Sequence, residues 1–345
     1  MMPLAIISSG MVTGVGLSAP ASCAAIRCAI DGFAETRFMD KGGEWIIGCQ
    51  VPLDQPWRGR AKLVKMAVPA IRECLAGIKQ TPTERIPLLL CVAEKDRPGR
   101  IDGLDDLLLP EIQKELGLKF HPKSCTIPLG QVGVAEALLM ARRLIEGDTV
   151  APYCVIAGVD SLLVAATLAV YEEKDRVLTS QNSDGFIPGE AGVAVLVGRP
   201  VTSARPQLLC LGIGLGREPN TIDSEEPLRA DGLVQAIKAA MADSGRTLAD
   251  CDYRLTDLCG GQYGFKEASL GLMRSFHVKK KRFELWHPAD CIGAVGAAIG
   301  PMVLAVAEAA GRKDYAPGPG VLCHFSWDNP DRASLILRCG ESRAA

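Results

Sequence analysis

With 345 residues, 48% of them hydrophobic, and a formal net charge of -2, the chain is long enough to bury one large core or two fused smaller ones. The near balance of 38 basic and 40 acidic residues gives no electrostatic footprint for nucleic acid. Thirteen cysteines, an odd number scattered through apolar runs without a Cys-x-x-Cys pair, read as small buried residues in a reducing, cytoplasmic setting rather than as a disulfide framework.

In chain order, residues 4–10 are predicted as a first strand, 11–16 as a glycine-rich turn and 21–32 as a helix. The turn lacks G-x-G-x-x-G spacing and no acidic partner follows at the right distance, so no cofactor is expected there. Pro3 and the glycines at 10, 14 and 16 interrupt the opening apolar run, which argues against a signal peptide. Leu63, Met66, Ala67, Ala70, Ile71 and Leu75 recur at helical spacing and predict a helix over 60–78, followed by a buried strand over 86–93 and a charged surface helix over 102–118.

The stretch 124–148 organises the chain. Gly130 and Gly133 let a turn meet closely the start of a helix carrying Val134, Ala137, Leu138, Ala141, Leu144 and Ile145 on one face, and an apolar run at 153–160 follows as a buried strand. Between residues 161 and 184 lie a helical piece and a polar loop, and the segment Asp184-Gly185-Phe186-Ile187-Pro188-Gly189-Glu190-Ala191-Gly192 runs into a strand ending at 198. From Pro206 the order of elements begins again: strand 207–214, helix 231–243, strand 253–258, a small-residue helix 292–310, strand 321–325 and strand 333–338. Two copies of one α/β unit are inferred, residues 1–203 and 204–345. The longest uncharged stretch, 291–307, holds three glycines and a proline and is short for a bilayer span, so a helix buried between sheets is expected and no membrane contact. The basic run Lys279-Lys280-Lys281-Arg282 reads as a solvated turn.

The loop, helix and strand around Gly130 resemble the nucleophile segment of thiolases and β-ketoacyl synthases, and the Asp184 to Gly192 segment resembles their D-G-F-x-x-G-E-x-x-G motif. The resemblance implies a thiolase-like, duplicated five-layer α/β/α/β/α sandwich, with the central helices starting near Gly130 and Gly293 between two five-stranded sheets. It also implies a homodimer, with residues 120–127 at a two-fold interface. In that family a cysteine sits on a tight turn at the helix N-terminus, and matching the family glycine to Gly133 puts Gly130 there. Some decarboxylating or chain-length-setting relatives carry glutamine at the nucleophile, and Gln131 follows one residue later. The first family histidine loop corresponds to Thr256-Asp257-Leu258-Cys259-Gly260-Gly261, without imidazole. The second histidine position holds Ala294, and Trp327 stands where glycines normally leave space open. Asp184 and Glu190 are expected to be architectural.

The positions that would carry catalysis are therefore read as vacated. Substitutes would be Cys125 or Cys259 with His287, His324 or His121. The four-residue spacings His287/Cys291 and His121/Cys125 are not metal sites without further ligands, and no metal is expected. The chain is similar in the Asp257-Leu258-x-Gly260 and Trp286-x-Pro288-Ala289-Asp290-x-Ile292-Gly293 stretches to short ketosynthase-like proteins associated with type VI secretion genes. That likeness implies an adaptor or chaperone for a partner protein, such as a secreted effector or spike component, with residues 96–110 and 261–286 as candidate contact segments. The rival expectations are an acyltransferase acting on acyl carrier protein or acyl-CoA thioesters through a displaced cysteine, and a binder that keeps an acyl or pantetheine tunnel without turnover.

Overall fold

A computed structural model describes residues 2–78, 80–147, 151–275 and 280–342. Asp148 and Lys279, which belong to two of the segments singled out above, lie outside the described residues. The first half runs β1 (Leu4–Thr13), α1 (Ala19–Arg27), β2 (Phe33–Met39), β3 (Trp45–Cys49), α2 (Gly59–Leu75), β4 (Leu88–Cys91), α3 (Leu108–Leu116), β5 (Cys125–Ile127), α4 (Gly133–Gly147), β6 (Tyr153–Ser161), α5 (Ala165–Glu173) and β7 (Glu190–Gly198). The second runs β8 (Ser203–Arg217), α6 (Asp231–Ser244), β9 (Tyr253–Thr256), α7 (Gln262–Ser275), β10 (Glu284–Trp286), α8 (Ala289–Ile292), α9 (Ile299–Arg312), β11 (Gly320–Ser326) and β12 (Asp331–Ser342).

The strand order β10-β9-β11-β12-β8-β1-β7-β6-β4-β5 contains the same pattern twice. Numbering the main-sheet strands of each half one to five gives 3-2-4-5-1 in both. Within each half, strand two pairs parallel with strands three and four, and the other pairs are antiparallel. The halves meet at a seam of three antiparallel pairs, Leu4 with Cys210, Ala5 with Leu209 and Ile6 with Leu208, so the two five-stranded sheets form one ten-stranded sheet. The hairpin β2–β3 stands apart from it.

Alternation along the strands assigns the layers. In β7, Val193, Val195 and Val197 enter a central core with α4 and α9, whereas Ala194 and Leu196 face α2 and α3. In β11, Val321, Cys323 and Phe325 enter the same central core, and Leu322 faces α6. The result is α2/α3, sheet, α4/α9, sheet, α6/α7, five layers in all, with strands buried on both faces and therefore almost continuously apolar. The central helices cross where Gly300 meets the Val134 side chain, close enough that any Cβ at 300 would collide with it.

Several boundaries differ from expectation. The first strand continues to Thr13, and the turn is confined to the Thr13–Gly16 bridge. The helix read over 292–310 is broken. Gly293 turns the chain with φ +68°, Ala294 then forms a bridge to Pro188, donating to Ile187 O at 2.8 Å and accepting from Gly189 N at 2.9 Å, and α9 starts only at Ile299. The loop 187–189 outcompetes the helix for those backbone groups. Within the basic run Lys280 Nζ donates to Ala249 O at 3.0 Å and to Cys251 O, while Lys281 and Arg282 are exposed.

Candidate functional site

Each central helix is entered through the same turn. Leu129 (φ -123°, ψ 13°) leads into a 3-10 turn over Gly130–Val132 and then α4, and Val295 (φ -112°, ψ 18°) leads into Gly296–Ala298 and then α9. Gly130 has φ +56° and Gly296 φ +52°, a region costly for residues with a Cβ. The turns lie against each other, as an internal two-fold relation requires. The glycine corresponding to Gly130 is thus Gly296, three residues beyond the Gly293 singled out in the sequence.

Between the turns lies a buried ionic triad. Arg97 donates to Glu94 twice, Nε to Oε1 at 2.7 Å and Nη2 to Oε2 at 2.6 Å, and its Nη1 donates to Asp160 Oδ2 at 3.0 Å. Asp160 also accepts from Ala297 N and Ser161 N, each at 2.9 Å. A Cβ at Gly130 would fall on Glu94 Oε2, and one at Gly296 on Asp160 Oδ2. The space for a side chain at either turn is therefore filled by carboxylate. One amide at each turn is committed as well, Gly130 N donating to Val92 O at 3.0 Å and Ala297 N to Asp160 Oδ2 at 2.9 Å. Burial pushes the Glu94 carboxyl up, but the Arg97 charge and its paired hydrogen bonds outweigh this and leave it below the usual range. Asp160, with a single Arg97 contact, is raised by burial. Arg97 is held well above its ordinary value, its attraction to Asp160 and Glu94 exceeding the cost of burial.

Beside the triad, an aromatic cluster closes the interior. Tyr171 meets Phe186 edge-on (centroids 5.3 Å apart, 84°) and Trp327 edge-on (6.2 Å, 87°), Phe186 and Trp327 are 5.4 Å apart, and Trp327 Nε1 donates to Tyr171 Oη at 3.0 Å. Ala294 is buried in this cluster, so the two residues standing at the expected histidine and glycine-loop positions pack into one apolar plug. Glu190 is fully buried, ion-paired to Lys62 Nζ at 2.6 Å and accepting from Val51 N at 2.9 Å and Ser161 Oγ at 2.7 Å. It ties β7 to its surroundings. Asp184 accepts from Gln262 N, the first amide of α7, at 2.6 Å.

On the far side of the plug a cavity of about 240 Å³ is lined by Asp257, Cys259, Arg176, Trp327 and neighbours. Burial, then Asp257 and Asp328, raise the Cys259 thiol, with only Arg176 opposing. Asp257 is itself pushed up to about 8 by burial, against a hydrogen bond from Ser326 N at 2.7 Å. Cys125 lines a separate pocket of about 590 Å³ with Glu94, Glu136 and Met140, and burial raises its thiol too. No imidazole among the described residues lines either cavity. His121 Nδ1 accepts from Lys123 N at 3.1 Å within its own turn. His324 lies on the Leu322 face of β11, away from the central helices, fully buried and pushed down to about 3 by desolvation and then Arg254. His287 and Cys291 do share a pocket, of about 400 Å³, with Trp286 and Tyr315; His287 Nδ1 is 3.0 Å from Asp290 Oδ1, and burial raises the Cys291 thiol. Among the described residues no group of three or more potential ligands converges on a metal position.

Sequence reading missed the triad and Tyr171. Glu94 and Arg97 are three apart in an irregular charged segment, and Asp160 lies 63 residues from Arg97; the one available signal was Asp160, a carboxylate closing the apolar run 154–159.

No family model matches the chain, and no curated protein matches it. Solved structures do. The chain is similar to a ketosynthase (ApeO) in complex with its chain length factor (ApeC) from Xenorhabdus doucetiae, at 14% identity and TM-score 0.76, covering 98% of each chain. It is similar to AntDE:AntF, a type II PKS acyl-carrier protein in complex with its ketosynthase bound to the hexaketide, at 12% identity and TM-score 0.78, covering 98% of this chain and 99% of that one. The ishigamide ketosynthase/chain length factor matches at 17% identity and TM-score 0.67, covering 98% of this chain and 99% of that one. These likenesses establish a thiolase-like ketosynthase fold.

Proposed function

We propose that the chain is a ketosynthase-like protein without the Cys/His/His catalytic set, residues 1–203 and 204–345 forming its two halves, and that it serves as a non-catalytic adaptor or chaperone for a partner protein. The observation that carries this reading is the occupation of both entry turns by carboxylates: Glu94 holds the space of a side chain at Gly130, and Asp160 that at Gly296. The aromatic plug around Ala294 and Trp327 supports it, as do the upward shifts at Cys125 and Cys259, since a nucleophilic cysteine needs its thiolate stabilised.

A surface role is supported by exposed apolar side chains within the candidate segments, Leu107 in 96–110 and Phe265 and Met273 in the described part of 261–286. In our reading the partner is a type VI secretion effector or spike component, bound in the cytoplasm. We further propose a homodimer. Strand β5 pairs with β4 and ends the sheet, and isologous pairing of that edge would cover its free backbone groups. Light scattering that reports a monomer across micromolar concentrations would rule out the dimer.

Affinity purification from the native host at natural expression level tests the adaptor reading, comparing wild type with charge variants in 96–110 and 261–286. Reproducible recovery of a secreted effector or spike component, weakened by the variants, is expected. Recovery of acyl carrier protein as sole partner, together with thioester turnover, would defeat it in favour of the acyltransferase alternative.

A further inference from the structure

The cavity of about 400 Å³ that His287 shares with Trp286 and Tyr315 is built where two helices end. Helix α1 closes with Ile30 N donating to Ala25 O at 3.0 Å, and α9 with Tyr315 N donating to Ala310 O at 3.1 Å. Each turn needs a left-handed residue, usually glycine. Ala29 (φ +53°) and Asp314 (φ +55°) stand there instead, two of the four non-glycine residues with positive φ among the described residues, and Ala29 itself lines the cavity. Strain is thus held at the two turns that bring Arg27 and Tyr315 together. The Arg27 guanidinium lies over the Tyr315 ring, Cζ 4.2 Å from its centroid, and Tyr315 is near-parallel to Trp286, with centroids 6.3 Å apart at 22°. The ring contact leaves the guanidinium N–H groups available: Arg27 is exposed and makes no hydrogen bond or ion pair among the described residues. The one carboxylate that lines the cavity, Asp290, faces His287, with Oδ1 3.0 Å from Nδ1. A cation without an anion therefore stands beside the half-buried apolar side chains of Ile26, Leu285, Trp286 and Tyr315.

We propose that this cavity binds a carboxylate carried on an aromatic, apolar body. The carboxylate pairs with the Arg27 guanidinium, and the body covers Trp286 and Tyr315. The planar fork of a guanidinium matches the two oxygens of a carboxylate, the rings offer a stacking surface, and the volume is that of a small-ligand site. Two sources carry this chemistry, a free small acid and the C-terminal residue of another chain. The inference goes beyond the adaptor reading and does not depend on it: a protein with or without a partner can hold such a ligand.

Isothermal titration of the full chain tests it, with phenylpropionate and phenylbutyrate as free acids, a tripeptide ending in phenylalanine as the chain terminus, and the primary amide of each. Saturable binding of at least one acid is expected, with its amide weaker about tenfold or more, as loss of a charged hydrogen-bonded pair predicts. Tighter binding of the free acids supports a small-molecule ligand, and tighter binding of the peptide a chain terminus. Arg27→Gln, a change at an exposed side chain, should bring the acid down to the affinity of its amide and leave the amide unchanged, with Arg27→Lys in between. Tyr315→Leu should weaken acid and amide alike; circular dichroism checks that the variants fold. Because acid and amide are compared on the unmodified protein, a misfolded variant does not spare the proposal. No saturable binding of any acid, equal affinity for acids and amides, or acid binding unchanged in Arg27→Gln would overturn it.

Discussion

Replacing Gly130 by alanine probes the blocked turn directly. Two costs add. A Cβ at φ +56° costs roughly 1–2 kcal/mol on backbone grounds. The same Cβ falls on Glu94 Oε2, and if the carboxylate is driven off Arg97 the broken buried pair costs about 3–5 kcal/mol more. Gly117, with φ +69° and open space around its Cβ position, isolates the first cost, so Gly117→Ala should lose only about 1–2 kcal/mol. Guanidinium unfolding followed by tryptophan fluorescence should therefore place Gly130→Ala about 3 kcal/mol or more below Gly117→Ala. In a Glu94→Ala background the excess should shrink, because the clashing atom is gone, giving a coupling within the roughly 0.5–3 kcal/mol seen for contacting residues. Equal losses for the two glycine variants, or no coupling to Glu94, would refute the claim that the triad fills the nucleophile's space.

Asp257, raised to about 8 from an unfolded value near 3.9, binds a proton in the folded state that the unfolded chain releases. Its contribution to stability is full below about pH 4 and is lost as pH rises through about 8, so Asp257→Asn should flatten the decline in denaturation midpoint across that window. Iodoacetamide at neutral pH followed by peptide mass mapping should modify the exposed Cys28 well before Cys125 or Cys259, whose thiols burial raises; early labelling of either would contradict the assignment. Glu190→Gln leaves Lys62 buried without its charge partner and should cost about 3–5 kcal/mol by chemical unfolding, whereas a loss below about 1 kcal/mol would show that the pair is not structural.

What the sequence discloses follows its physics. The strands at 88–91, 153–161 and 190–198 are buried on both faces and so write themselves as apolar runs, charged only at Asp160 and Glu190 near one end, and the repeated succession of elements was readable from them. The hairpin at 33–49 was not, because its exposed face carries Met39, Trp45 and Ile47 and blurs the alternation. Strand β10 is three residues long, too short for any period. Helix α7 escaped because it buries Glu267, paired at 2.7 Å to Arg332 sixty-five residues away, where an apolar residue would have shown the pattern. The break at Gly293 depends on a positive φ and on a bridge to Pro188, neither visible in an apolar, glycine-spaced run that suits a helix equally well. Of the candidate site, Gly130, Ala294 and Trp327 could be singled out in the sequence, but the groups that now fill the space come from other segments, and Glu94–Arg97–Asp160 is a tertiary constellation without local signature.

The central claim is that the position of the nucleophile is structurally filled and no cysteine has taken over its chemistry. Intact-mass measurement of the full chain after incubation with acetyl-, malonyl- and long-chain acyl thioesters tests it most directly. The account predicts an unchanged mass with every donor, since neither Cys125 nor Cys259 has an imidazole beside it among the described residues and both thiols are raised; stoichiometric acylation mapped to either cysteine would contradict it.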